Sequence, residues 1–169
     1  MFLLAASLFA PAFSATETAK KEGQRTLEQL VDGTLLEGKK KKLARGISIG
    51  LGLPDEVNAR AVVYRVADLP KGKDRGFYVL TEDDGEGNPR VTGLVWANAT
   101  VELKDEKKIY DAWYYRSDLT GKLKAVLRWT GGKEKFEQHK TRIDKKARGA
   151  FEKEKEFFLG EAATMSPLP

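Results

Sequence analysis

The chain has 169 residues, 41% of them apolar and 33% charged, the balance of one folded domain that buries roughly 70% of the surface its unfolded form exposes. With no cysteine and a single histidine, disulfides, thiolate metal sites, a cysteine nucleophile and a multi-histidine zinc site are all excluded. The 30 lysines and arginines face 25 acids, the two signs alternate along most of the chain, and the excess of +5 favours only weak association with polyanions.

Met1 to Ala15 (MFLLAASLFAPAFSA) has an apolar run, then a proline, then small residues. That is the layout of a secretory signal, with cleavage after Ser14 or Ala15, although no lysine or arginine precedes the apolar run. The run falls short of the about 20 residues that a spanning helix needs. The expectation is export to the periplasm or beyond the cell, with no transmembrane segment once the signal is removed.

A polar tail, 16–25, precedes a single domain over 26–160. Leu27, Leu30 and Val31 recur at helical spacing behind Thr26, a suitable cap, and Asp32-Gly33 is expected to end this short helix. Lys39, Lys40, Lys41 and Lys42 form a cationic run suited to anionic surfaces, or else an exposed loop. From Ala44 to Leu53, Ile47, Ile49, Leu51 and Leu53 alternate with Gly46, Ser48, Gly50 and Gly52, which predicts a strand with one bare face. Further strands are predicted over 58–68, 76–81, 90–104, 109–116 and 122–130, joined by turns short enough for hairpins.

In the strand over 90–104, Val91, Gly93, Val95, Ala97, Ala99, Val101 and Leu103 share one side, and small residues there suggest a helix lying across it. After Gly131-Gly132 the spacing of Phe136, Ile143, Ala150 and Phe157 predicts one amphipathic helix of about 25 residues, with Gly149 as a weak point and Gly160 as its cap. A loose tail, 161–169, follows. The fold class is therefore α+β: an antiparallel meander of about six strands, a short N-terminal helix and a long C-terminal helix packed on the sheet. This order resembles helix-grip folds, and the resemblance implies a curved sheet that wraps the terminal helix around an apolar cavity.

Chemistry-bearing residues are few. His139, placed by the periodicity on the C-terminal helix, reads as solvated rather than catalytic. The loop Glu82–Pro89 is acidic but lacks the ligand spacing of a calcium loop. Asp111 lies in an aromatic strand, where desolvation would raise its pKa and fit it for general acid work, unless it faces outward and pairs with Arg116 or a lysine of the next strand. A glycosidase would need a second carboxylate at a defined separation, and the sequence names none. No cofactor or metal is implied, and aromatics do not interleave with the lysine run as nucleic-acid binding would require.

Leu94, Trp96, Trp113 and Tyr115 leave the second sheet face apolar too, so it needs a cover: the N-terminal segment, a partner or an apolar ligand. The function expected is a non-catalytic exported binding domain for an apolar small molecule or lipid, or for an envelope protein. Its candidate ligand residues are Val95, Trp96, Trp113, Tyr115 and Phe151. The alternatives are a carboxylate-dependent hydrolase and a structural envelope protein with a cationic surface.

Overall fold

The computed structural model describes residues 23–53, 60–66, 69, 71–132, 135–160 and 165–167. The leader and most of the 16–25 tail lie outside the described residues, as do 161–164 and 168–169. Helix α1 (Leu27–Glu37) is followed by β1 (Lys39–Lys42), α2 (Arg45–Gly50), β2 (Arg60–Val66), β3 (Lys73–Asp83), β4 (Pro89–Lys104), β5 (Lys107–Ser117), β6 (Leu123–Gly132), β7 (Lys135–Thr141), α3 (Lys145–Leu159) and β8 (Met165–Pro167). Strands β1 to β7 pair in chain order, every pair antiparallel. Beyond β1, the short β8 pairs with the Tyr64–Val66 end of β2. The α+β meander read from the sequence is the fold.

Thr26 caps α1 as expected. Its side chain accepts from the Gln29 N–H and Gln29 returns a bond to the Thr26 N–H, a reciprocal box that satisfies two orphan donors. The helix runs through Gly33 to Glu37, further than Asp32-Gly33 suggested. An exposed glycine weakens a helix by only about 1 kcal/mol, and here Leu30 and Thr34 hold the turn on the sheet.

Two predicted elements are corrected. The segment expected as a strand over 44–53 contains helix α2, which lies flat on β6 and β7. Gly46 and Gly50 are four apart, so they share one helical face. A Cβ on Gly50 would overlap Gln138 Nε2 and approach Leu127 Cδ2 to 2.7 Å, and one on Gly46 would stand 3.1 Å from the Trp129 ring. The glycines that looked like the bare face of a strand are the contact face of a helix.

The predicted helix of about 25 residues is also two elements. Residues 135–141 form edge strand β7, and α3 begins only at Lys145, where the Asp144 carboxylate accepts from the Ala147 N–H at 2.8 Å. His139 therefore sits on β7, not on the helix. Its Nε2 lies 3.7 Å from Glu137 Oε2, with both side chains exposed.

Each face of the sheet buries its own cluster. On one face Leu30 of α1 and Ala147, Phe151 and Phe158 of α3 close over Val62, Phe77, Val79, Leu94, Trp96 and Val126. On the other, Leu43 and Leu51, flanking α2, close over Ala61, Val63, Leu80, Val95 and Leu127. The second cover is thus supplied by the chain's own segment around α2. The small side chains of β4 face away from α3: Ala97 and Ala99 lie on the α2 side beside Tyr78 and Tyr114, while Trp96 meets the helix. Register shifts beside Leu80/Thr81 and Arg116/Ser117 invert the alternation within β4 and β6, so that Val91 and Leu123 pack on the α3 side.

Candidate functional site

Strands β3 to β6 align their residues in rungs that share the α3 side of the sheet. The first rung, Phe77–Trp96–Tyr115–Val126, is buried. Next comes Arg75–Asn98–Trp113–Arg128, and beyond it Lys73–Thr100–Asp111–Thr130. Side chains two apart on a strand point the same way, so one face passes from fully apolar to polar within four residues of each strand.

Over the first rung the space between sheet and helix is filled by rings. Trp96 has the Phe77 centroid at 4.7 Å, Phe158 at 5.8 Å and Phe151 at 5.9 Å, and its indole N–H donates to Ser117 Oγ at 2.9 Å. The apolar cavity implied by the helix-grip resemblance is occupied here by the protein's own side chains. Of the ligand residues read from the sequence, Trp96, Tyr115 and Phe151 meet in this cluster, and Trp113 stacks beside Tyr115 at 6.3 Å. Val95 lies on the opposite face.

Of the outer two rungs α3 touches only the nearer, through Glu154 and Phe157, and the two line adjoining hollows of about 410 Å³ and about 490 Å³. Lys73, Thr100 and Asp111 belong to both. Leu69, Trp113 and Phe157 give the inner hollow its apolar wall, and Ile109 does so for the outer one. Together they make one open groove across four strands, about 14 Å at the usual inter-strand spacing.

The groove's two arginines are each tied to a carboxylate. Arg128 grips Asp111 with both a 2.9 Å bond from Nε and a 2.8 Å bond from Nη2, and its guanidinium lies 5.1 Å over the Trp113 ring. Arg75 lies 3.9 Å over the Phe157 ring and 3.4 Å from Glu154 Oε1. Asn98 Nδ2 donates to the same Glu154 oxygen. Lys73 donates to Thr100 Oγ1 at 3.0 Å and has no carboxylate partner among the described residues.

Two carboxyls beside this groove are shifted in opposite directions. The Arg128 hydrogen bonds, helped by its charge and by the Trp113 indole, hold Asp111 below the usual carboxylate range against partial burial. That is the reverse of what a general acid needs. Its partner is on the next strand, as expected, but it is Arg128 and not a lysine. The other named candidate, Arg116, has the opposite parity and donates to the Leu51 and Gly52 carbonyls across the α2 face. Glu154, only 5% exposed, is pushed up by burial, with Arg75 and Asn98 opposing, and its Oε2 has no hydrogen-bond partner. Both charges, with burial the larger cause, push the Tyr115 hydroxyl up to about 12.

Glu154 was missed by sequence reading. It falls three residues after Phe151 and three before Phe157, on the helical face that meets the sheet, and a lone acid in such a stripe was the available signal.

The remaining candidates stand apart from the groove. Lys39–Lys42 form an exposed edge strand. Strand geometry sends Lys39 and Lys41 to one face and Lys40 and Lys42 to the other, which divides the cationic run and discourages edge-to-edge pairing. In the acidic loop, Asp83 Oδ1 accepts from the Gly85 and Gly87 N–H groups, and Asp84 Oδ1 from Glu86 and Asn88, so both carboxylates serve the turn itself. Among the described residues no cluster of three or more metal-ligating side chains occurs, and no helix is long and apolar enough to cross a membrane. No family model, curated protein or solved structure matches this chain, so the meaning of the groove rests on its own geometry.

Proposed function

We propose that this is an exported, non-catalytic binding domain whose ligand surface is the open groove over the outer rungs of β3 to β6. The observation that carries the reading is the pair of guanidinium groups, each laid on an aromatic ring and tied to a carboxylate, Arg75 in the inner hollow beside Phe157 and Arg128 in the outer one. Ligand sites combine apolar walls with a few fixed polar groups in this way. The filled ring cluster under α3 directs the reading to this groove rather than to an enclosed apolar cargo. A small molecule or an extended segment of a partner fits such an open shape. The export half of the proposal is supported by the composition of Met1–Ala15.

Amide chemical-shift mapping with a library of water-soluble fragments tests the binding half. Shifts are expected to cluster at Lys73–Arg75, Asn98–Thr100 and Asp111–Trp113; shifts confined to the β1 or β7 edge would refute it. The intact mass of the exported protein tests the other half, with a start at Ala15 or Thr16 expected and a retained Met1 opposing it.

One observation favours a second reading, a carboxylate-dependent hydrolase: Asp111 lines the groove and Glu154 lies behind its Arg75 and Asn98, with pKa values moved apart, the pattern by which acid and base roles are separated. Hydrolysis of a bound ligand that disappears in both Asp111→Asn and Glu154→Gln would select this reading over binding alone.

A further inference from the structure

Resting on the reading of the groove as the ligand surface, we propose that its ligand is a neutral saccharide chain, held by paired hydrogen bonds along the outer rungs and by the apolar walls of Trp113 and Phe157.

The groove is close to charge balance. Three cations, Lys73, Arg75 and Arg128, line the groove with two carboxylates, Glu102 and Asp111, and Glu154, outside the lining, offsets Arg75 from 3.4 Å, so that each arginine is tied to an acid. A groove balanced in this way offers no strong net field to an anion or a cation. It is equally unsuited to an aliphatic chain, which would leave this many polar groups desolvated and unpaired.

Donors and acceptors stand side by side in the groove. A sugar hydroxyl donates one hydrogen bond and accepts others, so it is best met by a donor set beside an acceptor. The groove holds three such neighbours: Arg128 with Asp111, Lys73 with Thr100, and Arg75 with Asn98. Each retains capacity. Each Asp111 oxygen spends one lone pair on Arg128 and the carboxylate a third on the Trp113 indole, which leaves one acceptor site, and Arg128 Nη1 is not engaged. Asn98 gives its amide to Glu154 and keeps Oδ1 as an acceptor.

The two guanidinium planes are fixed by rings and carboxylates before any ligand arrives, which lowers the ordering cost of binding. The groove is also open and elongated across four strands, a shape that suits a chain better than a single small molecule.

The test is calorimetric titration of the protein with cellohexaose, maltohexaose, mannohexaose, xylohexaose and chitohexaose, and with hexagalacturonate as the anionic comparison, each at low and high salt. At least one neutral hexasaccharide is expected to bind with an affinity that salt leaves unchanged. Asp111→Asn and Thr100→Val, which preserve side-chain shape, are each expected to weaken it about tenfold while circular dichroism and melting temperature report an intact fold. Lys40→Ala, on the far edge strand, should leave it unaltered.

Binding of hexagalacturonate alone, lost steeply with salt, would overturn the neutral saccharide and leave the groove standing as an anion site. Neutral binding that survives both groove variants would overturn the proposed location. Silence from every saccharide overturns the ligand class. If fragment shifts still cluster in the groove the binding reading survives that failure, and if they do not it falls as well.

Discussion

On the α3 side of the sheet, the rung Phe77–Trp96–Tyr115–Val126 and the rung Lys73–Thr100–Asp111–Thr130 lie four residues apart along every strand. The first is closed under Phe151 and Phe158; the second is open and carries charge. At 1.5 Å per residue α3 is about 22 Å long; its Phe151 and Phe158 pack on the first rung, and it reaches the next through Glu154 and Phe157. Where the helix cover ends, side chains cease to be selected for packing. The covered half then holds the fold and the uncovered half is free to hold something else.

The comparison is broken most directly by truncating one residue from each half. Phe158→Ala removes a fully buried ring with aromatic neighbours on three sides and is expected to cost about 3–5 kcal/mol in chemical denaturation. Asp111→Ala, in the open rung, is expected to cost less than about 1 kcal/mol, because its ion pair with Arg128 is some two-fifths exposed on both sides. Equal losses would mean that the outer rungs are part of the folding core, and the division between the halves would fail.

The opposite face of the sheet supplies an intermediate case. Gly50→Ala forces a methyl group against Leu127, which is fully buried, and is expected to destabilise by about 1–3 kcal/mol. Gly149→Ala, on the exposed side of α3 with nothing near the added carbon, is expected to stabilise by up to about 1 kcal/mol, read as a higher melting temperature. The two substitutions are chemically identical, and contact alone sets their opposite signs.

These particulars also explain what could be read from the sequence. The strands over 58–68, 76–81, 90–104, 109–116 and 122–130 were legible because β-branched and aromatic residues fell between strong turns. Edge strand β7 was not, because its described side chains, Glu137 to Thr141, show no burial alternation for a period to register. Its seven-residue spacing to Ile143 and Ala150 then extended the apparent helix backwards over it. Asp144 marked the true start of α3, but a cap signal is local and was outweighed by the longer period. In α2 the glycines at 46 and 50 fitted two periods at once, and only the flat contact with Leu127 and Trp129 distinguishes them. Trp113 and Asp111 were legible as chemistry; their partners Arg128, Arg75 and Glu154 come from other elements, and only the register of the sheet and the docking of α3 bring them together.

Glu154 stands at the boundary between the halves, and pH sharpens its role. Its folded pKa is raised above the ordinary 4.5, so ionisation disfavours the folded state, and stability from this group falls as pH rises through that folded value. Asp111 and Asp118 act oppositely. Both are held below the ordinary 3.8, Asp118 by hydrogen bonds from Thr120 and Lys122 and by Lys124 against partial burial, and their stabilisation is lost as pH falls towards the folded values. Melting temperature should therefore fall on the acid side and also decline above about pH 4.5. Glu154→Gln is expected to keep the acid limb and lose the upper decline; an unchanged upper limb would show that another group causes it.

The smallest effect is the coupling within the groove itself. In a double-mutant cycle, Asp111→Asn and Arg128→Gln are expected to show an interaction energy of about 0.2–1 kcal/mol, the range of solvent-exposed pairs, despite the bidentate geometry. The pair presents a fixed guanidinium edge beside Trp113, with an acceptor at its side, and a coupling that small would leave this geometry free for the proposed ligand. If the same cycle carried out on ligand affinity gives a larger coupling than the cycle on stability, the pair serves binding first. If the stability coupling is the larger, the open rung belongs with the covered half, and the boundary drawn at the end of the helix cover has to move outward.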